Sequence, residues 1–266
     1  MPKKLVAVTI PIYKETLDDI EQISLQQAFK VLGKHPIIFF ASQSLNISWY
    51  EAFCSQLGNF SIERFDDNCF AGIPGYNKLM LSKAFYARFS NYEYILIYQL
   101  DAFVFRDELK YWCEFNYDYV AAPHLKKLKN SPRTETVNQQ GISMSMLSMH
   151  KAFFKILKKI GVNKEIREIE NGGLSLRKVS SCLLLLTLFK KKSRSWSLNE
   201  DTFYFYGFNF FFFLFHLPDE RKALSFSFEL EPSVAYKLNK HLLPFGCHAF
   251  MKYEPNFWAS FINKTN

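Results

Sequence analysis

Short apolar runs alternate with amphipathic segments along the first half of the chain. The apolar runs are rich in β-branched and aromatic residues and are bounded by polar or turn-forming positions, which is typical of strands. We predict strands at 5–13, 36–42, 60–65, 92–100 and 117–123.

The segments between these runs have the spacing of amphipathic helices. In the segment 16–34, Thr16 is the expected N-cap and Gly33 the expected stop. Further helices are predicted at 49–58, 74–89 and 107–115. This alternation predicts an α/β fold, with a mostly parallel sheet and helices on both faces. Ligands of such sheets bind at the carboxyl ends of the strands.

Two polar residues interrupt the apolar stretch 94–105, YILIYQLDAFVF. An ionised carboxylate is costly to bury without a partner, so Asp101 needs an explanation. It stands just past the most hydrophobic strand, where a metal ion, a ribose hydroxyl or a cation could be its partner. The structural alternative is that Asp101 caps the next helix or pairs with Arg106.

Three segments of the second half carry candidate chemistry. NGGLSLR (171–177) places two glycines together, which suits either close approach of the backbone to a ligand or an ordinary turn. FSFELEP (226–232) is a strand candidate. PFGCHAF (244–250) contains His248, which is either a core histidine or a ligand.

Adjacent carboxylates mark a predicted helix start in SLNEDTFYF (197–205). A capping box between Ser197 and Glu200 would explain them structurally, since Asp and Glu are favourable in a first turn. A chemical role for Glu200 and Asp201 is the alternative.

A family resemblance rests on several segments taken in chain order. They are VAVTIPIYKE, GYNKLMLSKAFY, YQLDAFVFRDELKYW, YDYVAAPH, NGGLSLRK, NEDTFY, FSFE and PFGCHAF. Together they resemble the bacterial glycosyltransferase-like domains of the glycosyltransferase-A fold, many of which belong to surface-polysaccharide gene sets. The resemblance runs from about residue 5 to residue 253, without a matching motif at 125–168. It implies one domain, 1–266, with a nucleotide-sugar-binding half at about 1–123 and an acceptor-binding half at about 124–266.

The resemblance implies transfer of a sugar from a nucleotide-sugar donor to a lipopolysaccharide, such as an O-antigen, or to another cell-surface glycan. Gln99 and Asp101 occupy the place of the Asp-x-Asp element that holds a divalent metal, Mn²⁺ or Mg²⁺, and His248 is the second ligand or a diphosphate contact. A hard cation there stabilises the leaving diphosphate. Gln99 at the first position weakens metal affinity and leaves metal dependence open. The donor-binding residues implied are Asn77, Lys78, Gln99, Asp101, Asn171, Gly172 and Gly173.

The same resemblance assigns roles within the site. Lys78, in the first turns of its helix, would add a cation and the helix N-terminus to the diphosphate. Gly172 and Gly173 would let a sugar approach the backbone. Asp201 would be the general base of an inverting reaction and Glu200 a supporting or acceptor-binding residue. Retention of configuration is not excluded, because the sequence identifies no covalent nucleophile.

The net charge of +8, from 33 basic and 25 acidic residues, predicts attraction to polyanions. Basic residues cluster at 124–133, 151–164 and 188–194. None of these clusters has an RNA-binding or helix-turn-helix signature, so solvated faces or an anionic membrane are expected instead of nucleic acid. The five cysteines form no CxxC pair, and the N-terminal apolar stretch is too short for a signal peptide, so we expect a cytoplasmic protein.

The phenylalanine-rich stretch 203–217 raises the question of membrane contact. As a helix it would span only ~22 Å, short of a ~30 Å hydrocarbon core. Burial in the core is one interpretation. Partial insertion at the inner membrane face, supported by Lys190–Lys192 and Arg194, is the other, and a lipid-linked acceptor would fit both.

Two other functions stay open at this point. A nucleotidyltransferase on a related fold is disfavoured, because no phosphate-binding loop follows the first strand. A non-catalytic nucleotide- or glycan-binding module is supported by Gln99 alone.

Overall fold

The computed structural model describes residues 2–125, 128, 155, 167–169, 171–211 and 213–262. The unmatched segment 125–168 and the basic clusters at 124–133 and 151–164 fall largely outside these residues.

The strands form two sheets. They are β1 Lys4–Pro11, β2 Ile37–Ser42, β3 Phe60–Phe65, β4 Tyr92–Tyr98, β5 Phe103–Val104, β6 Tyr119–Val120, β7 Leu174–Lys178, β8 Ser227–Phe228 and β9 Gly246–Cys247. The main sheet has the order β3-β2-β1-β4-β7-β6, and the small sheet has the order β5-β9-β8. Strands β1 to β4 run parallel, and β7 runs antiparallel to its neighbours β4 and β6.

The helices follow the strands along the chain. They are α1 Asp19–Leu32, α2 Ser48–Cys54, α3 Gly72–Met80, α4 Lys83–Arg88, α5 Leu109–Glu114, α6 Val179–Leu188, α7 Lys190–Arg194, α8 Glu200–Phe210, α9 Glu220–Phe226, α10 Pro232–Leu238 and α11 Pro255–Ile262. A short 3₁₀ helix lies at Asp67–Phe70.

Strand β4 explains why the apolar run around it is continuous. Its alternate residues enter two separate cores, Leu96 and Tyr98 on one face of the sheet and Ile95 and Ile97 on the other. A strand covered on both faces needs apolar side chains at every position. The predicted α/β fold class, with a mostly parallel sheet flanked by helices, is confirmed.

The helix predicted at 74–89 is two helices. The first, α3, ends at Met80, and Ser82 starts α4 by accepting a hydrogen bond from Phe85 N at 3.1 Å. A serine hydroxyl that caps a new helix competes with continuation of the old one. Lys78 consequently lies in the last turn of α3, not in the first turns as predicted.

The predicted cap of the first helix also differs. Asp18, not Thr16, is the N-cap of α1, because its carboxylate accepts from Glu21 N at 2.9 Å while Glu21 Oε2 accepts from Asp18 N at 3.0 Å. This reciprocal pair satisfies two backbone donors at once. Gly33 is the C-cap, as predicted.

The small sheet carries the C-terminal region back to the end of β4. Pairing of β5 with β9 is antiparallel, with Phe103 opposite Cys247 and Val104 opposite Gly246. His248 follows β9 directly, and its backbone N–H donates to the backbone carbonyl of Phe228 at 3.0 Å. The small sheet therefore fixes His248 beside the residues that follow β4.

The phenylalanine-rich stretch divides between core and surface. Phe203, Tyr204 and Phe208 of α8 are buried in the second core, whereas Phe213 and Leu214 are exposed. In the part of the chain that the structure describes, no helix combines the length and the apolar character needed to cross a bilayer.

Candidate functional site

A cavity of about 260 Å³ opens at the carboxyl ends of β1 and β4. Tyr13, Lys14 and Glu21 line one side, and Gln99 and Asp101 line the other. This is the edge at which ligands of parallel sheets bind.

Asp101 and His248 lie side by side at the mouth of this cavity. Asp101 Oδ1 is 3.1 Å from His248 Nε2, and Gln99 Oε1 is 3.3 Å from the same nitrogen. The Asp101 side chain is 51% exposed and the His248 side chain only 13%, so the carboxylate faces incoming solutes while the imidazole is held by protein.

Glu229 accepts a hydrogen bond from the other side of the His248 ring, and the Asn171 amide group lies beside the same nitrogen. Glu229 Oε1 is 2.9 Å from Nδ1, and Asn171 Nδ2 is 3.2 Å from it. Asn171 is itself buried and fixed, because its Oδ1 accepts from Gly173 N at 2.7 Å. The ring orientation is therefore set by the protein, with Nε2 directed towards Asp101 and Gln99.

The two groups shift each other's pKa in opposite directions. Burial alone would lower the pKa of His248, but its hydrogen bonds to Asp101 and Glu229, and their charges, raise it to about 9. Burial would raise the pKa of Asp101, but the hydrogen bond and charge of His248 hold it below its usual range. At neutral pH the pair is therefore a carboxylate beside an imidazolium.

The twin glycines allow close approach by protein side chains. A Cβ on Gly172 would lie 2.3 Å from Glu200 Oε1, and a Cβ on Gly173 would lie 1.9 Å from His248 Nε2. Glu200 and His248 thus occupy the Cβ directions of Gly172 and Gly173, and the predicted approach of a sugar to this backbone stays a prediction.

The start of α8 lies on the same side of the sheet. Glu200 is buried and forms a bidentate ion pair with Arg177 of β7, and its N–H donates to Asn77 Oδ1 at 3.2 Å. Asn77, in α3, thus accepts a hydrogen bond from the first residue of α8. The resemblance had implied a contact between Asn77 and the nucleotide-sugar donor. Asn199, not Ser197, is the N-cap residue, and its own side chain makes no capping hydrogen bond, so the capping box predicted from Ser197 to Glu200 is not formed.

Asp201 is half-buried in the first turn of α8, and its Oδ1 accepts from Thr202 N at 2.7 Å. The negative charges of Glu200 and Asp101 both act on Tyr76, whose pKa is raised mainly by burial and then by these two charges. Glu200 lies next to Gly172 and His248 lies next to Gly173, so the start of α8 is close to the Asp101–His248 pair.

Lys78 is exposed in the last turn of α3, and its side chain forms no hydrogen bond or ion pair with the described residues around Asp101. Sequence reasoning missed Lys252, whose positive charge contributes to the lowered pKa of Asp101. It also missed Arg177 and Glu229. Glu229 was visible only as part of a strand candidate, and Lys252 lies four residues beyond His248 along the chain.

The oxygen and nitrogen atoms around His248 Nε2 fit a divalent cation. They are the Asp101 carboxylate, the Gln99 amide oxygen and Nε2 itself. Metal-bound histidines commonly have a carboxylate on their other ring nitrogen, and Glu229 lies there, next to Nδ1. In the described residues no group of three His, Cys, Asp or Glu side chains is placed to hold a metal.

Comparison with solved structures shows the glycosyltransferase-A fold. The galactosyltransferase LgtC, in complex with donor and acceptor sugar analogs, has a TM-score of 0.53 at 11% identity, over 97% of this chain and 95% of that chain. An active-site mutant of LgtC has a TM-score of 0.51 at 12% identity, over 91% of this chain and 86% of that chain.

The apo form of mouse xyloside xylosyltransferase 1 is similar over 92% of this chain and 97% of that chain, at 10% identity and a TM-score of 0.49. Comparison with curated proteins gives no significant match. A family model matches residues 59–248, which is most of the chain. The chain therefore belongs to the family described as "Protein of unknown function (DUF5672)".

Proposed function

We propose that this protein is a glycosyltransferase that moves a sugar from a nucleotide-sugar donor to a glycan acceptor. One observation carries the proposal: Asp101 and His248 lie 3.1 Å apart at the mouth of a cavity at the carboxyl end of β4. A glycosyltransferase-A fold with a carboxylate and an imidazole at this point has the groups that a nucleoside diphosphate requires.

The donor diphosphate would lie beside Asp101. His248 and Lys252 supply positive charge there, and Lys14 lines the cavity behind. Asp101, Gln99 and His248 would hold Mn²⁺ or Mg²⁺, which when bound would neutralise charge on the leaving diphosphate. Binding of a cation to Nε2 requires the neutral imidazole, so it would release the proton that His248 carries at neutral pH.

The acceptor would approach from the start of α8. Glu200 is neutralised by Arg177 and is not available as a base, which leaves Asp201 as the carboxylate of this turn that can take the acceptor proton. Inversion of configuration follows from a base that acts on the acceptor directly. A lipopolysaccharide or another cell-surface glycan is the acceptor class that the sequence resemblance favours.

Calorimetric titration with UDP and GDP, with and without Mn²⁺, tests the donor site. We expect one nucleotide to bind more tightly with Mn²⁺, and Asp101→Asn to weaken that binding by ~10-fold or more. Glu51→Gln, on the exposed side of α2, removes the same charge and should bind like the wild type. Equal affinity of Asp101→Asn and Glu51→Gln would reject the site.

A turnover assay distinguishes an enzyme from a non-catalytic binding module. Gln99, at a metal-binding position, is the residue that would favour the binding module. Release of the nucleoside diphosphate from UDP- and GDP-sugars, followed by chromatography, should show slow hydrolysis even without an acceptor. Tight nucleotide binding without any release or transfer would instead support the non-catalytic module.

A further inference from the structure

An exposed apolar surface lies where the end of α6 meets the turn after α8. Leu184 and Leu188 of α6 are 44% and 48% exposed. Phe213 and Leu214, in the turn, are 66% and 52% exposed. Scattered exposed apolar residues are common, but a cluster of large ones marks a contact surface.

Aromatic contacts join the two parts of this surface. The Phe189 ring, at the end of α6, is 5.2 Å from the Phe211 ring, and the Phe211 ring is 5.8 Å from the Phe213 ring. Leu184 and Leu188 are one helical turn apart and therefore share a face of α6. We call Leu184, Leu188, Phe213 and Leu214, together with α7, the α6–α7 surface.

Helix α7 adds a dense positive charge to this surface. It follows α6 directly and contains Lys190, Lys191, Lys192 and Arg194. Lys192 lies over the Trp196 ring, 5.7 Å from its centroid, whereas Lys190 and Lys191 are exposed. The segment 178–199 contains five basic residues and no acidic residue. No acidic residue of this segment therefore compensates its positive charge.

We propose that the α6–α7 surface docks on an anionic lipid bilayer. Exposed leucine and phenylalanine side chains beside a lysine cluster combine apolar insertion with attraction to acidic headgroups. A two-fold dimer through this surface is disfavoured, because it would bring the lysines of both copies together. The buried Phe203 and Phe208 take no part, so the contact differs from insertion of the whole phenylalanine-rich stretch.

The α6–α7 surface lies close to the candidate site without being part of it. Helix α8 runs from Glu200, in the site, to Phe210, beside Phe211, over 11 residues, which corresponds to ~16 Å. If the proposed glycosyltransferase function holds, an acceptor carried by a membrane lipid could reach the site from this surface. The docking itself does not depend on that function.

Co-sedimentation with lipid vesicles tests the docking. The full chain should bind vesicles of phosphatidylcholine mixed with phosphatidylglycerol, and bind ~10-fold or more weakly to phosphatidylcholine alone, with affinity that falls as salt rises. No binding to the mixed vesicles, or equal binding to both kinds, would overturn the proposal.

Matched variants test whether the α6–α7 surface makes the lipid contact. Leu188→Ser with Phe213→Ser removes apolar contacts, and Lys190→Gln with Lys191→Gln removes charge, so each pair should weaken binding by ~10-fold or more. Their controls are Leu242→Ser, at a residue 63% exposed, and the exposed pair Lys237→Gln, in the last turn of α10, with Lys240→Gln, just after that helix.

All these substitutions are at exposed positions, and circular dichroism should show unchanged folding. Variants that bind as tightly as their controls would place the lipid contact elsewhere. A wild-type dimer in sedimentation velocity that is lost in the Leu188→Ser with Phe213→Ser variant would show a protein interface and would also overturn the proposal.

Discussion

Arg177 and Glu200 form a bidentate ion pair in the protein interior. Arg177 Nη1 donates to Glu200 Oε2 at 2.9 Å and Nη2 donates to Oε1 at 2.8 Å, while the side chains are 0% and 3% exposed. The guanidinium also lies over the rings of Tyr119 and Tyr204, 5.3 and 5.2 Å from their centroids. The pair ties β7 to the start of α8 and so fixes the position of Asp201.

Loss of one partner of this ion pair should destabilise the protein more than loss of both partners. Arg177→Met leaves Glu200 charged, buried and unpaired, and we expect it to lower the free energy of unfolding by about 3–5 kcal/mol. Arg177→Met with Glu200→Met removes both charges and should recover part of that loss. Urea unfolding measures both variants. A double variant that is no more stable than Arg177→Met would contradict this account.

Gly173 should not tolerate even a methyl group while His248 is present. In Gly173→Ala the new Cβ would lie 1.9 Å from His248 Nε2, so the ring must move away from Asp101. We expect a loss of about 1–3 kcal/mol in unfolding free energy and weaker nucleotide binding.

A His248→Ala background supplies the control for Gly173. Without the imidazole the added methyl group has room, so Gly173→Ala should then cost much less stability. Equal costs in the two backgrounds, measured by urea unfolding, would show that the strain at Gly173 does not come from His248.

The raised pKa of His248 predicts a pH dependence of stability in metal-free buffer. The folded-state pKa is about 9, and the unfolded-state value is ~6.5. The extra stability is therefore fully present below pH ~6.5 and is lost as the pH rises through about 9. It should amount to at most about 3 kcal/mol.

Thermal unfolding with EDTA, from neutral to alkaline pH, measures this effect. The wild type should lose melting temperature more steeply than His248→Gln, which cannot titrate. Parallel curves for the two proteins would mean that His248 is not protonated beside Asp101 and Glu229.

The parallel strands β1, β2 and β4 could be predicted from the sequence because they are covered on both faces along most of their length. Runs such as β4 then need apolar residues at every position, and this pattern is unmistakable. The break after Met80 could not be predicted in the same way. The apolar spacing continues through Ser82, and only the hydrogen bond of its hydroxyl starts a new helix there.

The candidate site was only partly visible in the sequence. Asp101 stood out because a carboxylate within an apolar run needs a partner. Its contact with His248 depends on two-residue strands, β5 and β9, which are too short to show any periodicity. Arg177 was hidden for another reason. Alternation in β7 suggests a solvent-facing polar side, but both faces are covered, and the arginine is buried with Glu200 as its partner.

Asp201→Asn distinguishes a general base from a residue that only starts a helix. An amide has nearly the same shape and can still accept the hydrogen bond from Thr202 N, which is 2.7 Å long in the wild type. It cannot take a proton from the acceptor. If Asp201 is the base, sugar transfer should fall by ~10²-fold or more, while nucleotide affinity and melting temperature stay nearly unchanged.

Asp219→Asn is the matched control, because Asp219 is the N-cap of α9 and accepts from Lys222 N at 2.8 Å. Asparagine is a good N-cap, so this variant should lose about 1 kcal/mol or less of stability and keep its activity. The same outcome for Asp201→Asn, measured as initial rates at saturating donor, would reject Asp201 as the base. Because Glu200 is held by Arg177, the proton would then have to go to a residue outside the first turn of α8.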